Sequence, residues 1–159
     1  MPIPTRLYHY LEQRGTRYEV LAHARSRSSA ETARSAQVPA HHLAKPVLLE
    51  DDEGCVMAVV PADRQVMVGT LARMLGRHDL HLADEARIAE LFDDCDRGAL
   101  PPVGMAWGLP TVVDDDLEQL DEVWMEGGDH ERLLRLSHQA FHELMSGQPH
   151  GHICKPMAH

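Results

Sequence analysis

The sequence predicts an α+β fold, and three features of its patterning lead there. Two apolar runs of strand length, Lys45-Pro46-Val47-Leu48-Leu49 and Cys55-Val56-Met57-Ala58-Val59-Val60, flank Asp51-Asp52-Glu53-Gly54. Turn residues between two apolar runs read as an antiparallel hairpin. A second strand pair, 122–128 and 132–136, brackets the turn around Asp129. Helical periodicities lie between and around these strands, as expected where helices pack on an antiparallel sheet.

Taken in order, Ile3, Leu7 and Leu11 recur every four residues and predict a helix over about 3–14, stopped by Gly15. Residues 18–23 read as a strand. Ser28-Ser29-Ala30-Glu31 has the form of a capping box, in which hydroxyl and carboxylate each cover a free backbone N–H. A short helix should follow it to about Gln37, before Pro39. The run 55–60 is apolar throughout, so that strand should be covered on both faces. Leu71, Met74 and Leu75 predict a helix ended by Gly76, and Ile88, Leu91 and Phe92 another, with Asp84 as its N-cap. Residues 110–114 read as a strand. Ala140, Phe141, Leu144 and Met145 predict a closing helix capped by Ser137. The expected organisation is one domain over 1–146 and a flexible, His-containing tail over 147–159.

Bulk composition narrows the function classes. Apolar residues make up 43% and charged residues 25% of the 159, which is ordinary for a globular protein with a real core. No apolar run follows the N-terminal residues, and the longest uncharged stretch, Gly98 to Val113, is too short and too rich in Pro and Gly to span a bilayer. A cytoplasmic protein without a membrane partner is expected. Cys55, Cys95 and Cys154 are odd in number and widely spaced, so they form neither a disulfide framework nor a Cys-x-x-Cys pair. The net charge of −10 is uneven: residues 1–45 carry +4 and the rest −14. A basic end on an acidic body can steer a polyanion to one face, or be no more than a solvated surface.

Lysine is nearly absent, with only Lys45 and Lys155 beside thirteen arginines. Lys45 opens an apolar strand. There an ammonium can bind a phosphate or carbonyl oxygen, or simply guard a strand edge against aggregation. The loop Gly98-Ala99-Leu100-Pro101-Pro102-Val103-Gly104 combines two Gly and two Pro. Such a loop lets a ligand approach the main chain closely, or makes a rigid surface connection. His130 sits in a tight turn between two strands, a placement that suits a site residue. His138 and His142 share one helix face at two-ligand spacing. No His-Glu-x-x-His pattern accompanies them, so they read as a polar face and no metal is expected. There is no phosphate loop, dinucleotide fingerprint or Gly-x-Ser-x-Gly, and no cofactor is expected.

His41-His42-Leu43-Ala44-Lys45, the run 94–104, Pro110-Thr111-Val112-Val113-Asp114-Asp115-Asp116-Leu117 and Glu126-Gly127-Gly128-Asp129-His130, in that order, resemble the YbaK/EbsC family. These proteins are relatives of the editing domain inserted in bacterial prolyl-tRNA synthetases, and the resemblance covers about residues 16–146. It implies a strongly twisted, mixed, mainly antiparallel and barrel-like sheet flanked by helices. It implies trans hydrolysis of mischarged aminoacyl-tRNA carrying a small or medium amino acid. The resemblance makes Lys45 and His130 the catalytic candidates. It gives the substrate pocket to Gly98, Ala99, Leu100, Pro101, Pro102, Gly104 and Gly128. Arg25, Arg27 and Arg34, on the basic end, would hold the tRNA acceptor end. Association with a synthetase, and a monomeric or weakly dimeric state, complete the expectation. Pro46 follows the lysine where several relatives carry a small polar residue, so one N–H donor is missing. That departure keeps a non-catalytic paralogue, binding a small ligand or protein in the same pocket, as the alternative.

Overall fold

The computed structural model describes residues 3–23 and 29–157. Helix α1 (Thr5–Gln13) buries Leu7 and Leu11 and ends before Gly15, whose positive φ of 63° suits glycine. Strand β1 (Glu19–Ala22) is exposed along its length. Helix α2 (Ser29–Ala36) follows; the expected capping box falls on Ser28 and neighbouring side chains outside the described residues. Strands β2 (Leu43–Asp51) and β3 (Gly54–Pro61) form the predicted hairpin, with Arg77 donating to the Asp51 carboxylate at its turn. That guanidinium lowers the Asp51 pKa to about 2.

A short strand β4 (Arg64–Val66) leads into helix α3 (Val68–Leu75), closed by Gly76 in the left-handed region. Strand β5 (His81–Leu82) precedes helix α4 (Glu85–Leu91), where the Asp84 carboxylate accepts from the Arg87 N–H at 2.8 Å. Strands β6 (Thr111–Asp114), β7 (Glu122–Glu126) and β8 (Arg132–Ser137) follow. Ser137 caps helix α5 (His138–Leu144), as predicted.

Beyond α5 the structure departs from expectation. Residues 147–157 do not form a loose tail. Strand β9 (His150–Gly151) runs parallel to β6, and β10 (Cys154–Pro156) pairs antiparallel with β4. The reason is apolar: Ile153 and Cys154 are fully buried against β3 and α3.

Among the described residues the main sheet has the order β1-β8-β7-β2-β3-β6-β9, with β5 added beside β2. Most neighbours are antiparallel, but β2–β7, β3–β6 and β6–β9 are parallel. The sheet is open, not barrel-like, since its end strands β1 and β9 do not pair with each other. The alternation of β3 sends Met57 and Val59 to one face and Val56, Ala58 and Val60 to the other. The first face is covered by α1, Phe92, Leu100, Val103 and α5; the second by α3, with Ala33 of α2 over Leu43 and Leu133. No helix among the described residues is long and apolar enough to cross a membrane.

Candidate functional site

The site begins with an interruption in strand pairing. Leu43 and Ala44 of β2 pair with Trp124 and Met125 of β7, while Leu49 and Glu50 pair with Leu82 and His81 of β5. Between these two partners, Lys45 to Leu48 pair only with β3. The Leu48 carbonyl accepts from the Ala83 N–H at 2.9 Å, on the side away from β3. Two residues earlier, Pro46 therefore turns its nitrogen and carbonyl to the same outer edge. A proline is tolerated mid-strand here because its missing N–H would have faced an opening, not a partner.

Lys45 is the first residue of this unpaired stretch and is half-buried. Its ammonium donates to the Arg64 carbonyl at 2.7 Å. Burial lowers its pKa, against the opposing pull of Asp63.

The predicted loop and turn come together. The Asp96 N–H donates to the Gly128 carbonyl at 2.7 Å, and His130 Nε2 donates to the Arg97 carbonyl. The Asp129 carboxylate folds the turn by accepting from the N–H groups of Glu131 and Arg132, each at 3.0 Å. His130 is 6% exposed and has a positive φ of 63°, rare for a residue with a side chain. Gly104 tolerates no side chain, since a Cβ would lie 2.5 Å from Thr111 Oγ1. Ala99, Leu100, Pro101 and Pro102 are buried. Leu100 and Arg97 also line a cavity of about 490 Å³ with Phe92 and Cys95 on the α4 side. Lys45 makes no hydrogen bond to this loop or turn among the described residues.

The basic candidates separate. Arg34 is exposed on α2, and Arg25 and Arg27 lie outside the described residues. Arg6, counted in the basic end, pairs with Asp94 at 2.9 Å. His138 and His142 stack with ring centroids 6.2 Å apart. Each is engaged through Nδ1, His138 to the Leu120 carbonyl at 3.0 Å and His142 to Glu118 at 3.1 Å.

Sequence reasoning missed Glu126. It is 2% exposed, with the Thr32 hydroxyl as its hydrogen-bonding neighbour and no ion pair among the described residues. Burial pushes its pKa up to about 7, the Thr32 hydroxyl pulling the other way and the Asp129 charge adding to the rise. The signal was present as an acid on the inward face of an apolar strand, immediately before two glycines.

The aminoacyl-tRNA editing domain profile matches residues 23–144. A curated relative, the proline–tRNA ligase of Lactobacillus helveticus, is 26% identical over 97 residues, which are 61% of this chain and 17% of the ligase. The chain thus corresponds to a small part of that enzyme. A crystal structure provisionally assigned as a trans-editing enzyme for prolyl-tRNA synthetase superposes with a TM-score of 0.80 at 25% identity, covering 94% of this chain and 95% of that one. A hypothetical protein at 23% identity shares the fold, with a TM-score of 0.82 over 94% and 99% of the two chains.

Proposed function

The chain belongs to the aminoacyl-tRNA editing domain family, and on that premise we propose that it is a trans-acting deacylase. It would hydrolyse the ester joining a wrong amino acid, of small or medium size, to its tRNA. The observation that carries this reading is the gap beside β2, which begins at Lys45.

The chemistry asks little of the protein. An aminoacyl ester is already activated, so a positioned water or a ribose hydroxyl of the terminal adenosine can attack without a protein nucleophile. What remains is positioning and charge stabilisation. The Lys45 ammonium, hydrogen-bonded among the described residues to the Arg64 carbonyl, can exchange that acceptor for a phosphate oxygen of the terminal adenosine or the ester carbonyl oxygen. The backbone of Gly98 to Gly104 and Gly128 would shape the amino-acid cavity, with His130 fixed between loop and turn. A pocket that selects by size separates neighbours by about 1–3 kcal/mol per methylene. The acceptor end would meet Arg25, Arg27 and Arg34, making binding weak and strongly salt-dependent. The protein would act in the cytoplasm as a monomer or weak dimer, free or beside a synthetase, with no cofactor.

The test is release of labelled amino acid from a panel of mischarged tRNAs. We expect hydrolysis of one or a few small or medium aminoacyl esters, reduced at least about 100-fold by Lys45→Ala. No hydrolysis by the wild type, with calorimetric binding of a free amino acid or nucleotide, would instead favour the non-catalytic paralogue that Pro46 motivates.

A further inference from the structure

The motif His41-His42-Leu43-Ala44-Lys45 places more than the lysine. One helical turn, Ala40–His42, precedes β2 and meets the turn Ala62-Asp63 that joins β3 to β4. The Ala62 N–H donates to the Leu43 carbonyl at 2.8 Å and to the Ala40 carbonyl at 3.2 Å. His41 Nδ1 donates to the Asp63 carboxylate, at 3.0 Å to Oδ1 and 3.3 Å to Oδ2. An ionised carboxylate only accepts, so this nitrogen carries a ring proton. Asp63 Oδ1 also lies 3.8 Å from Arg64 Nε. The carbonyl of that same Arg64 holds the Lys45 ammonium at 2.7 Å. His41, the segment 62–64 and Lys45 are thus linked in a ring, closed through the β2–β3 register that sets Lys45 opposite Val60.

We propose that His41 and Asp63 are positioning residues for Lys45: His41 fixes the turn that presents the Arg64 carbonyl, and Asp63 gives the ammonium its counter-charge. The effect on turnover rests on the deacylase reading above; the effect on the lysine does not. Half-burial disfavours a charged amine, and Asp63, then Cys154, work against that penalty. The Cys154 thiol, pushed up to about 12 chiefly by burial, carries no charge at neutral pH. Asp63 is then the standing anion of the two. Stability is a poor explanation for the pair. The His41 and Asp63 side chains are 34% and 41% exposed, and ion pairs so exposed contribute little to folding. Their value lies in placement, because a displacement of about 1 Å near the chemistry can cost about 100-fold in rate.

Lys45 and Lys155 are the only lysines, so protein carrying carbon-13 lysine gives two signals by NMR, and the Lys155→Arg spectrum assigns that of Lys45. A pH titration then reads Lys45 directly in the wild type, Asp63→Asn, His41→Ala and His41→Asn, beside the deacylation panel. Asp63→Asn should lower the Lys45 midpoint by about one pH unit and move the alkaline limb of turnover down with it. His41→Ala should lower the midpoint by about half as much and cut kcat for the best ester about 10-fold with KM little changed. His41→Asn should restore most of both, because its amide nitrogen falls where Nδ1 stood. An Asp63→Asn midpoint within about 0.2 of the wild type overturns the proposal, and so does a His41→Asn variant as impaired as His41→Ala. Variants that lose activity and unfold at lower urea together, with the Lys45 midpoint unmoved, mark a structural role and overturn it too. A wild type that releases no amino acid from any ester brings down the deacylase reading alone, and the Lys45 midpoints still decide for or against the pair.

Discussion

Asp114 and Glu126 are buried to nearly the same degree, at 0% and 2% exposure, in opposite surroundings. Asp114, at the end of β6, is saturated by the backbone. One oxygen accepts from the Ile153 N–H at 2.8 Å and the other from the Asp116 N–H at 2.9 Å, capping the helical turn Asp115–Gln119. The nearby Cys154 thiol is pushed up to about 12, chiefly by burial and then by its contact with Asp114. Glu126, at the end of β7, accepts from no backbone N–H among the described residues and has the Thr32 hydroxyl beside it. The first carboxylate joins three segments of the chain. The second lacks backbone donors, and burial makes it hold its proton to higher pH. Acid content alone does not distinguish the two; the supply of backbone N–H groups does.

Substitutions can break or sharpen this contrast. The largest stability effect belongs to Asp114→Ala, which strands the buried Ile153 N–H and the part-buried Asp116 N–H and loosens residues 150–156. It should cost on the order of 3 kcal/mol in urea unfolding, and a loss below about 1 kcal/mol would dissolve the contrast. Next comes Glu126→Gln, whose effect depends on pH. The folded-state pKa, about 7, lies above the ordinary value of 4.5. As pH rises the unfolded chain releases this proton first, so the wild type loses stability between about 4.5 and about 7, with the full loss present above that range. Relative to the Gln variant, the loss from about pH 4 to about pH 8 should be on the order of 3 kcal/mol by thermal or urea unfolding. A pH-independent difference would mean that Glu126 is paired after all. The smallest effect is that of Pro46→Ala, within about 0.5 kcal/mol, because no partner strand lies on that edge. It returns an N–H donor to the edge beside Lys45, so on the deacylase reading hydrolysis of the best ester in the panel should rise a few-fold, with the fold unchanged by circular dichroism.

Much of the framework was legible because it is written in local chemistry. Asp51-Asp52-Glu53-Gly54 announces its hairpin, Asp84 and Ser137 their helices, and the unbroken apolar run of β3 its burial on both faces. Strands of two or three residues, such as β5 and β9, are too short to show a period, and the parallel pairing of β2 with β7 joins segments with no local sign of each other. Residues 147–157 were misread because His, Gly and Pro suggest a loop, while the weight rests on Ile153 and Cys154. At the site, rarity pointed to Lys45, and glycine and proline pointed to the loop and turn. Glu126 was hidden because an acid beside two glycines reads as turn polarity, and only the register shows that it faces inward.

The small sheet of β4 and β10 bears on when the site can exist. The carbonyl that holds the Lys45 ammonium belongs to Arg64, and Arg64 pairs with Pro156, more than a hundred residues beyond the lysine. Contacts so distant in sequence close late in folding, after their loop entropy has been offset by the rest of the core. A chain with its hairpin formed but its β10 unplaced carries the lysine without its resting acceptor. Placement of the Lys45 ammonium on its acceptor and completion of the fold are then one event.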